Sequence, residues 1–357
     1  MRRRLLLTHG AGACKFSTAT PAGGRQKWVG AKHRCGQKRA APHRICTILK
    51  NRARATNEMK VLPKVVRSEL LCAVDPRGCL GGHLQGGTRP DGRELLRGRK
   101  LAAHGAELSS SHASLMLRLG RTAVMAGVQC ELTRPVESEA TCGRVIVSLE
   151  LPPACSAAVA VARGGGDRSR LEREQAALVE LLQRTAADGL LCPEPLCAVE
   201  GLAVWTIRCK IVVLEHDGNL ADAALLAMVH VMPSVRLPRV VVDEGGEEGA
   251  PPLLMLAEED AVPIELARPV YPCSFRLLLG HVMLDPTAEE EALSSAALTL
   301  LLDGEAQVTS VHKPGGGPLP AGALDSCKVA AVARLPSITA ALSGADAHPR
   351  LGDRVLN

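Results

Sequence analysis

A group of carboxylates follows an apolar run near residue 280. Asp285 comes directly before Pro286, and Glu289, Glu290 and Glu291 follow at positions four to six residues beyond Asp285. Carboxylates in such proximity can share a metal ion or act as a general base. An Asp-Pro turn followed by three Glu is also typical of a solvated charge run, which is the interpretation the residues alone favour.

Two further positions could bind an anion. Arg168 and Arg170 lie at the start of a predicted helix over 170–184, where free amide groups and the positive end of the helix dipole favour a negative charge. The residues are equally typical of surface charges at a helix start. The other position is a strand-to-helix turn over 215–219, which follows a predicted strand over 202–214 and precedes a predicted helix over 221–232. Asp222 in its first turn is interpreted as a helix-start carboxylate.

Other chemistries find little support in the sequence. It contains no phosphate loop, no Gly-x-Gly-x-x-Gly fingerprint and no His-Glu-x-x-His pair, and its histidines form no ligand set. The 13 Cys include no Cys-x-x-Cys pair, so we expect reduced, mostly buried thiols. We therefore expect no metal and no cofactor. No apolar run is long enough to span a membrane.

Charge is distributed unevenly along the chain. Residues 1–57 hold 14 Lys and Arg and no acid, which leaves 29 basic against 37 acidic residues in the remainder. The basic segment has the composition of an organelle transit peptide, of a nucleic-acid-binding tail, or of an upstream segment absent from the mature protein. Aromatic residues make up only 1% of the chain, which argues against RNA binding by base stacking.

Hydrophobic periodicity predicts an α+β protein in two similar halves. Leu115, Leu117 and Leu119 alternate before Gly120, and a second alternating run follows, which predicts a hairpin. A hairpin turned at Asp303-Gly304 and a helix over about 321–334 repeat the pattern. We predict a basic, disordered extension over 1–66, a Gly-rich linker over 67–88, a first half over 89–240, a second half over 253–340 and a tail over 341–357.

Three short motifs, taken in order, resemble the RNase PH family and specifically the non-phosphorolytic ring subunits of the RNA exosome. They are 89-RPDGR-93, 284-LDPTAEEE-291 and 312-HKPGG-316. The resemblance implies an RNase PH-type fold, similar to ribosomal protein S5 domain 2. The positions that match family motifs are Arg89, Asp91, Gly92, Arg93, Gly120, Asp217, Gly218, Asp222, Asp285, Lys313 and Gly315.

The same resemblance bears on catalysis. Catalytic relatives carry a second Asp about two helical turns after the position of Asp285, where Glu291 is the nearest candidate here. Phosphorolytic relatives have Asp-Gly-Gly-Thr at the phosphate-binding turn, whereas this chain has 217-DGNL-220 and loses a Gly and a hydroxyl. We therefore expect no enzymatic activity. Arg168, Arg170 and Lys313 are the candidates for contact with RNA or phosphate.

The resemblance implies a structural subunit of a hetero-hexameric ring that helps to form an RNA-threading channel. Its expected partners are other RNase PH-type subunits, S1/KH cap subunits and RNA. The expected locations are the nucleus, the nucleolus and the cytoplasm, with mitochondrial targeting by the basic segment as an alternative. Two other functions stay open: phosphate-dependent 3′-to-5′ RNA cleavage by Asp285 and Glu291, and RNA binding through the basic tail.

Overall fold

The computed structural model describes residues 74–106, 108–135, 141–163, 168–191, 194–243 and 253–343. The predicted extension over 1–66 therefore lies outside the described residues. The chain divides into two units after Pro63, and all described residues belong to the second unit.

The first half is built on a mixed sheet. Its strands are β1 (Leu101–Gly105), β2 (Ala113–Leu119), β3 (Thr122–Thr133), β4 (Arg144–Glu150), β5 (Cys197–Val199) and β6 (Ala203–Glu215). The order is β1-β2-β3-β6-β4, with β5 paired to β6, and only the β4–β6 pair is parallel. The predicted hairpin is β2–β3: its alternating Leu side chains are fully buried, and Gly120 turns the chain with a φ of 61°.

Three helices accompany this sheet: α2 (Ala157–Arg163), α3 (Arg168–Thr185) and α4 (Leu220–Val231), numbered after an earlier helix α1 (Pro76–Gln85). Helix α4 is apolar on nearly every side, and all of its side chains except Ala221 and His230 are buried. A helix that is hydrophobic all round belongs in a core. It contacts β2 and β3 of the first half and the strand Tyr271–Leu278 of the second half, so it lies between the two.

The second half repeats the strand-and-helix theme. Its elements are β7 (Arg236–Asp243), β8 (Leu253–Pro263), β9 (Tyr271–Leu278), β10 (His281–Leu284), α5 (Ala288–Leu293), β11 (Ala296–Leu302), β12 (Val308–His312) and α6 (Ala323–Ser343). Strands β7 and β8 form a two-stranded antiparallel sheet, and the others form an antiparallel sheet in the order β10-β9-β11-β12. One cluster of buried Leu, Val and Ala side chains extends through both halves.

The predicted linker over 67–88 is wrong for its C-terminal part, which contains helix α1. Asp75 caps this helix by accepting a hydrogen bond from the amide of Gly78, and Pro76 occupies its first turn. Three glycines inside the helix, Gly78, Gly81 and Gly82, give the segment a low helix propensity. Tertiary packing outweighs that cost, because Leu80 and Leu84 are buried against the second half.

Other expectations need correction at single elements. The apolar run over 277–283 does not form one continuous strand, because it turns at Leu279 and Gly280, which have φ of 50° and 85°, and forms the β9–β10 hairpin. Helix α6 passes Pro336 and extends to Ser343, into the predicted tail over 341–357, because Ile338 and Leu342 continue its buried face. The rest of that tail lies outside the described residues.

Cysteine chemistry agrees with expectation for seven of the eight described cysteines, which are free thiols. Cys79 is the exception, since it is disulfide-bonded. Burial raises the pKa of the Cys209 and Cys273 thiols to about 12. Among the described residues no helix is long and apolar enough to cross a membrane.

Candidate functional site

Three loops meet between the two halves and bring the motif residues together. The loop over 89–99 leads into β1, the turn over 216–219 joins β6 to α4, and the turn over 285–287 joins β10 to α5. Asp285 lies in a left-handed conformation with φ of 53°, and its amide donates to the carbonyl of Ser274. This conformation directs the chain from the end of the strand into helix α5.

The Asp285 carboxylate lies at the centre of this meeting point and is fully buried. The Arg99 amide and Nε donate to Oδ2 at 2.6 and 3.1 Å, and Arg99 Nη2 donates to Oδ1 at 2.9 Å. Asn219 Nδ2 donates to Oδ1 at 2.6 Å. Arg93 Nη1 adds a longer bond of 3.4 Å to Oδ2, and Arg334 Nη2 lies 3.8 Å from the same oxygen.

These contacts determine the ionisation of Asp285. Burial alone would raise its pKa, but hydrogen bonds from Arg99 and Asn219 and the charges of Arg334 and Arg99 lower the pKa to about 2. Burial likewise lowers the pKa of Arg99, and its bond to Asp285 and the nearby Asp217 reverse the shift and raise it. The pair is therefore a fully ionised, buried salt bridge.

Asp222 is a second buried carboxylate beside the first. It accepts hydrogen bonds from Ser274 Oγ at 2.6 Å, from the Ser274 amide at 3.2 Å and from Asn219 Nδ2 at 2.8 Å. Burial raises its pKa, and Arg334 at 4.0 Å opposes that shift. Asp222 lies in the first turn of α4, as expected, but its oxygens tie that turn to β9 of the second half.

Arg89 pairs with the middle residue of the acidic run. Its guanidinium forms a buried two-point salt bridge with Glu290 and also donates to the carbonyls of Leu284 and Asp285 at 2.7 and 3.0 Å. Glu290 simultaneously caps α5 through a capping box with Thr287. The solvated charge run favoured from sequence is therefore wrong for Glu290, which is 2% exposed.

The turn before α4 is packed against the second half. Gly218 has a φ of 78°, and a Cβ at this position would lie 2.4 Å from the carbonyl carbon of Thr287. Arg99 Nη1 and Nη2 donate to the carbonyls of Asp217 and Gly218 at 2.8 and 3.2 Å. Only a glycine permits this approach, so the turn and the acidic loop form one unit.

The chain matches two family models, the 3′ exoribonuclease family, domain 1, over residues 98–236 and the same family, domain 2, over residues 268–333. Together these matches cover more than half of the chain. This protein belongs to the RNase PH family. Both halves of the fold follow the two domains of that family, and the predicted α+β, RNase PH-type fold is confirmed.

Relatives and solved structures agree with this assignment. The chain is 25% identical over 264 residues to the exosome complex component Rrp42 of Methanothermobacter thermautotrophicus, covering 74% of this chain and 89% of the relative. It is 28% identical to the exosome complex component rrp43 of Schizosaccharomyces pombe, covering 68% and 86%. A chain of the Archaeoglobus fulgidus exosome with RNA bound to the active site matches with a TM-score of 0.60 at 22% identity, covering 74% and 96%.

A cleft of about 740 Å³ opens beside the turn over 216–219. Its walls include α3, the start of α4, β9 and the loop after β12. Glu291 lies in this cleft, where Oε1 accepts from the Asn219 amide at 3.1 Å and from Arg276 Nη2 at 2.9 Å. Glu291 and Asp285 therefore accept from different atoms of Asn219, Glu291 from the backbone amide and Asp285 from the side-chain Nδ2.

The structure places the remaining predicted residues at the edges of this arrangement. Gly92 has a φ of 80° in the turn where Asp91 accepts from Arg93, and Gly315 lines the cleft. Lys313 Nζ donates to the carbonyls of Gly315 and Gly316 at 3.1 and 3.3 Å, so its charge faces its own loop. Arg168 begins helix α3, and Arg170 lies in its first turn. The structure does not describe the side chains of these two residues, so their candidacy stays a prediction.

Sequence reasoning missed several members of the network: Arg99, Asn219 as a donor, Glu290 and Arg334. Arg99 and Arg334 have no local signal, since their partners lie far away in the chain. Glu290 does have a local signal in the sequence, because Thr287 and Glu290 have the spacing of a capping box. In the part of the chain that the structure describes, no group of three or more His, Cys, Asp or Glu side chains could hold a metal.

Proposed function

We propose that this chain is a non-catalytic structural subunit of an RNA exosome ring, where it helps to form the channel through which RNA is threaded for 3′-to-5′ processing and degradation. The observation that carries the proposal is the state of Asp285. Its position corresponds to a catalytic acid in active RNase PH relatives, yet here the side chain is a buried structural anion.

The Asp285 carboxylate has no capacity left for a ligand. An ionised carboxylate offers about four acceptor sites. Oδ1 accepts from Arg99 and Asn219, and Oδ2 accepts twice from Arg99 and once, at longer range, from Arg93. A metal or a substrate proton would have to displace these donors. A group with a pKa of about 2 is also a poor base near neutral pH.

The turn at residues 217–220 supports the same proposal. In place of a second small residue, Asn219 has a left-handed conformation, and its side chain is 1% exposed and bonded to Asp222 and Asp285. The amide that could face an anion donates instead to Glu291. The side chain and the backbone amide of Asn219 are thus both engaged in contacts within the protein, and neither is free to bind a phosphate at this turn.

The proposal carries further assignments. The partners are other RNase PH-type subunits in a hetero-hexameric ring, S1/KH cap subunits and RNA, and the roles are ribosomal RNA maturation and messenger RNA turnover. The locations are the nucleus, the nucleolus and the cytoplasm. The assignment to one ring subunit, exosome component 8, stays a prediction from the sequence motifs, as do the domain boundaries at residues 66, 88, 240, 253 and 340.

The test combines assembly with activity. The full chain is purified alone and with RNase PH-type exosome subunits, and its mass in solution is measured together with the release of nucleoside diphosphates from single-stranded RNA in phosphate. We expect a stable heteromeric complex on mixing and no phosphate-dependent release by the lone chain. Release by the lone chain that scales with phosphate concentration would overturn the proposal and restore the phosphorolytic alternative.

One observation favours a second role, which does not exclude the first. Residues 1–57 carry 14 basic side chains and no acid. Such a segment would bind RNA phosphates with an affinity that falls steeply with salt. Deleting residues 1–57 should then remove the salt-dependent part of RNA binding and leave assembly unchanged. The same segment acting as a mitochondrial targeting sequence would instead be absent from the mature chain.

A further inference from the structure

One contact in the cleft is not explained by the Asp285 network. Glu291 lies in the first turn of α5, and its Oε1 accepts two hydrogen bonds from different elements. One donor is the backbone amide of Asn219 at the start of α4, 3.1 Å away, and the other is Arg276 Nη2 on β9, 2.9 Å away. A carboxylate from the second half therefore sits against the first turn of a first-half helix.

The receiving position has the properties of an anion site. Helix α4 has 12 residues, and its cap residue Asn219 makes no side-chain hydrogen bond to the helix amides. The first amides and the helix dipole therefore favour a negative charge at this end. Arg276 contributes a guanidinium from the opposite wall, and its side chain is 29% exposed. The only acid that the structure shows bonded to both donors is Glu291.

A second feature indicates that the site extends beyond Glu291. Asn219 is 1% exposed and lines the cleft, and its Oδ1 has no hydrogen-bond partner among the described residues, although its Nδ2 makes two bonds. A buried acceptor without a partner is costly. A ligand that brings both negative oxygens and a hydroxyl, as a hydrogen phosphate does, would complement this set of groups.

We propose that Glu291 occupies, as an internal anion, a latent oxyanion site formed by the Asn219 amide and Arg276, and that it thereby excludes phosphate and phosphate-bearing ligands from the cleft. The inference rests on the proposed non-catalytic function and deepens it, because it concerns which group keeps phosphate out of this cleft rather than how the chain assembles. It requires a carboxylate at position 291 and a free path for an ion of phosphate size, which the cleft of about 740 Å³ provides.

The test is a gain of binding. The full chain and its E291A variant are titrated with inorganic phosphate, and binding is followed by calorimetry and by line broadening of the phosphorus resonance. We expect E291A to bind phosphate at least about tenfold more tightly than the parent chain, which corresponds to 1.4 kcal/mol or more. E289A is the matched control, because Glu289 is an exposed Glu on the same short helix and makes no contact with either donor.

Two further variants make the outcome decisive. Adding R276A to E291A should abolish the gained binding, because it removes one of the two donors. E291Q retains the shape of the side chain and loses its charge, so it should bind phosphate more tightly than the parent chain but less tightly than E291A. If E291A does not fold, E291Q provides the test. The proposal is overturned if neither variant at position 291 binds phosphate more tightly than the parent, or if E289A gains as much. Ring assembly is unaffected by these results, so the two proposals fail separately.

Discussion

Arg99 donates three hydrogen bonds to Asp285, two to Oδ2 from its amide and Nε and one to Oδ1 from Nη2. Arg99 precedes β1 of the first half, and Asp285 follows β10 of the second, so this pair joins the two halves through a buried salt bridge. Removing one partner of a buried pair costs more than the pair contributes, because an uncompensated charge is left behind. The stability of the whole domain should therefore depend on it.

The first prediction concerns D285N. The amide places N–H groups where the carboxylate accepted hydrogen bonds, and it leaves Arg99 without its buried counter-charge. We expect the free energy of unfolding to fall by about 3–5 kcal/mol, measured by urea denaturation of the full chain. D325N is the control, since Asp325 is an exposed acid in the first turn of α6 and should lose less than about 1 kcal/mol. Equal losses in the two variants would contradict a structural role for Asp285.

The second prediction concerns acid. The pKa of Asp285 is lowered to about 2 in the folded chain, below an ordinary value near 3.9 when unfolded. A depressed pKa contributes stability that is fully present above the unfolded value and is lost as the pH falls through the folded value. Asp285 should therefore contribute about 2 kcal/mol above pH 5, and this contribution should disappear between about pH 4 and pH 2.

Asp222 changes the unfolding free energy with pH in the opposite direction to Asp285, so the measurement must separate the effects of the two carboxylates. Burial raises its pKa, so its contribution is largest at low pH and is lost as the pH rises through the folded value. Urea unfolding from pH 5 to pH 2 is compared between the parent chain and D285N. The decline in unfolding free energy should be smaller in D285N by about 2 kcal/mol. Parallel declines would show that other carboxylates carry the acid sensitivity.

Local patterns in the sequence were sufficient for most of the fold but not for the network. The β2–β3 hairpin follows from alternating Leu, Val and Ala around Gly120, because a period of two is set by neighbours in the chain. Helix α1 was missed because its glycines give little local helix signal, and its stability comes from packing on Leu278 and Met283, about 200 residues away. Such long-range compensation leaves no periodic mark on the sequence.

The same distinction applies within the site. Asp285, Arg89 and Asp222 were identified because they lie in short motifs, but the partner of each was not. Arg99 is separated from Asp285 by 186 positions, and Arg89 from Glu290 by 201. No spacing rule connects residues at such distances. The sequence also gave no indication that the second acid, Glu291, turns toward Asn219, since that depends on how α5 is seated on the turn before α4.

The third prediction is a double-mutant cycle on Arg89 and Glu290. R89M leaves Glu290 as a buried unpaired acid and should cost about 3–5 kcal/mol, and E290Q should cost a similar amount. The loss of unfolding free energy in the double variant should be smaller than the sum of the two single losses by about 2 kcal/mol or more. The reason is that the double variant leaves neither charge buried without a partner. Urea unfolding provides all four corners of the cycle.

The chain supplies a matched control for that cycle. Glu180 and Arg184 form an exposed pair four residues apart on α3, with side chains 71% and 62% exposed. Solvent screens such pairs, so their coupling should not exceed about 0.5 kcal/mol. If the Arg89–Glu290 coupling were as small as this, the buried salt bridge would not be what holds the loop over 89–99 to helix α5.

The fourth prediction tests the close approach of the turn before α4 to the acidic loop. Gly218 and Gly201 both have positive φ, 78° and 70°, but only a Cβ at position 218 meets other atoms, the nearest of them 2.4 Å away in Thr287. G201A should cost about 1 kcal/mol, which is the strain of the left-handed backbone alone. G218A carries the same strain and must also separate the backbone of the turn from that of residues 286–288. We expect it to cost at least about 2 kcal/mol more than G201A in urea unfolding. Equal costs would mean that the turn can move away from α5 freely, and that the contact between Glu291 and the Asn219 amide does not depend on Gly218.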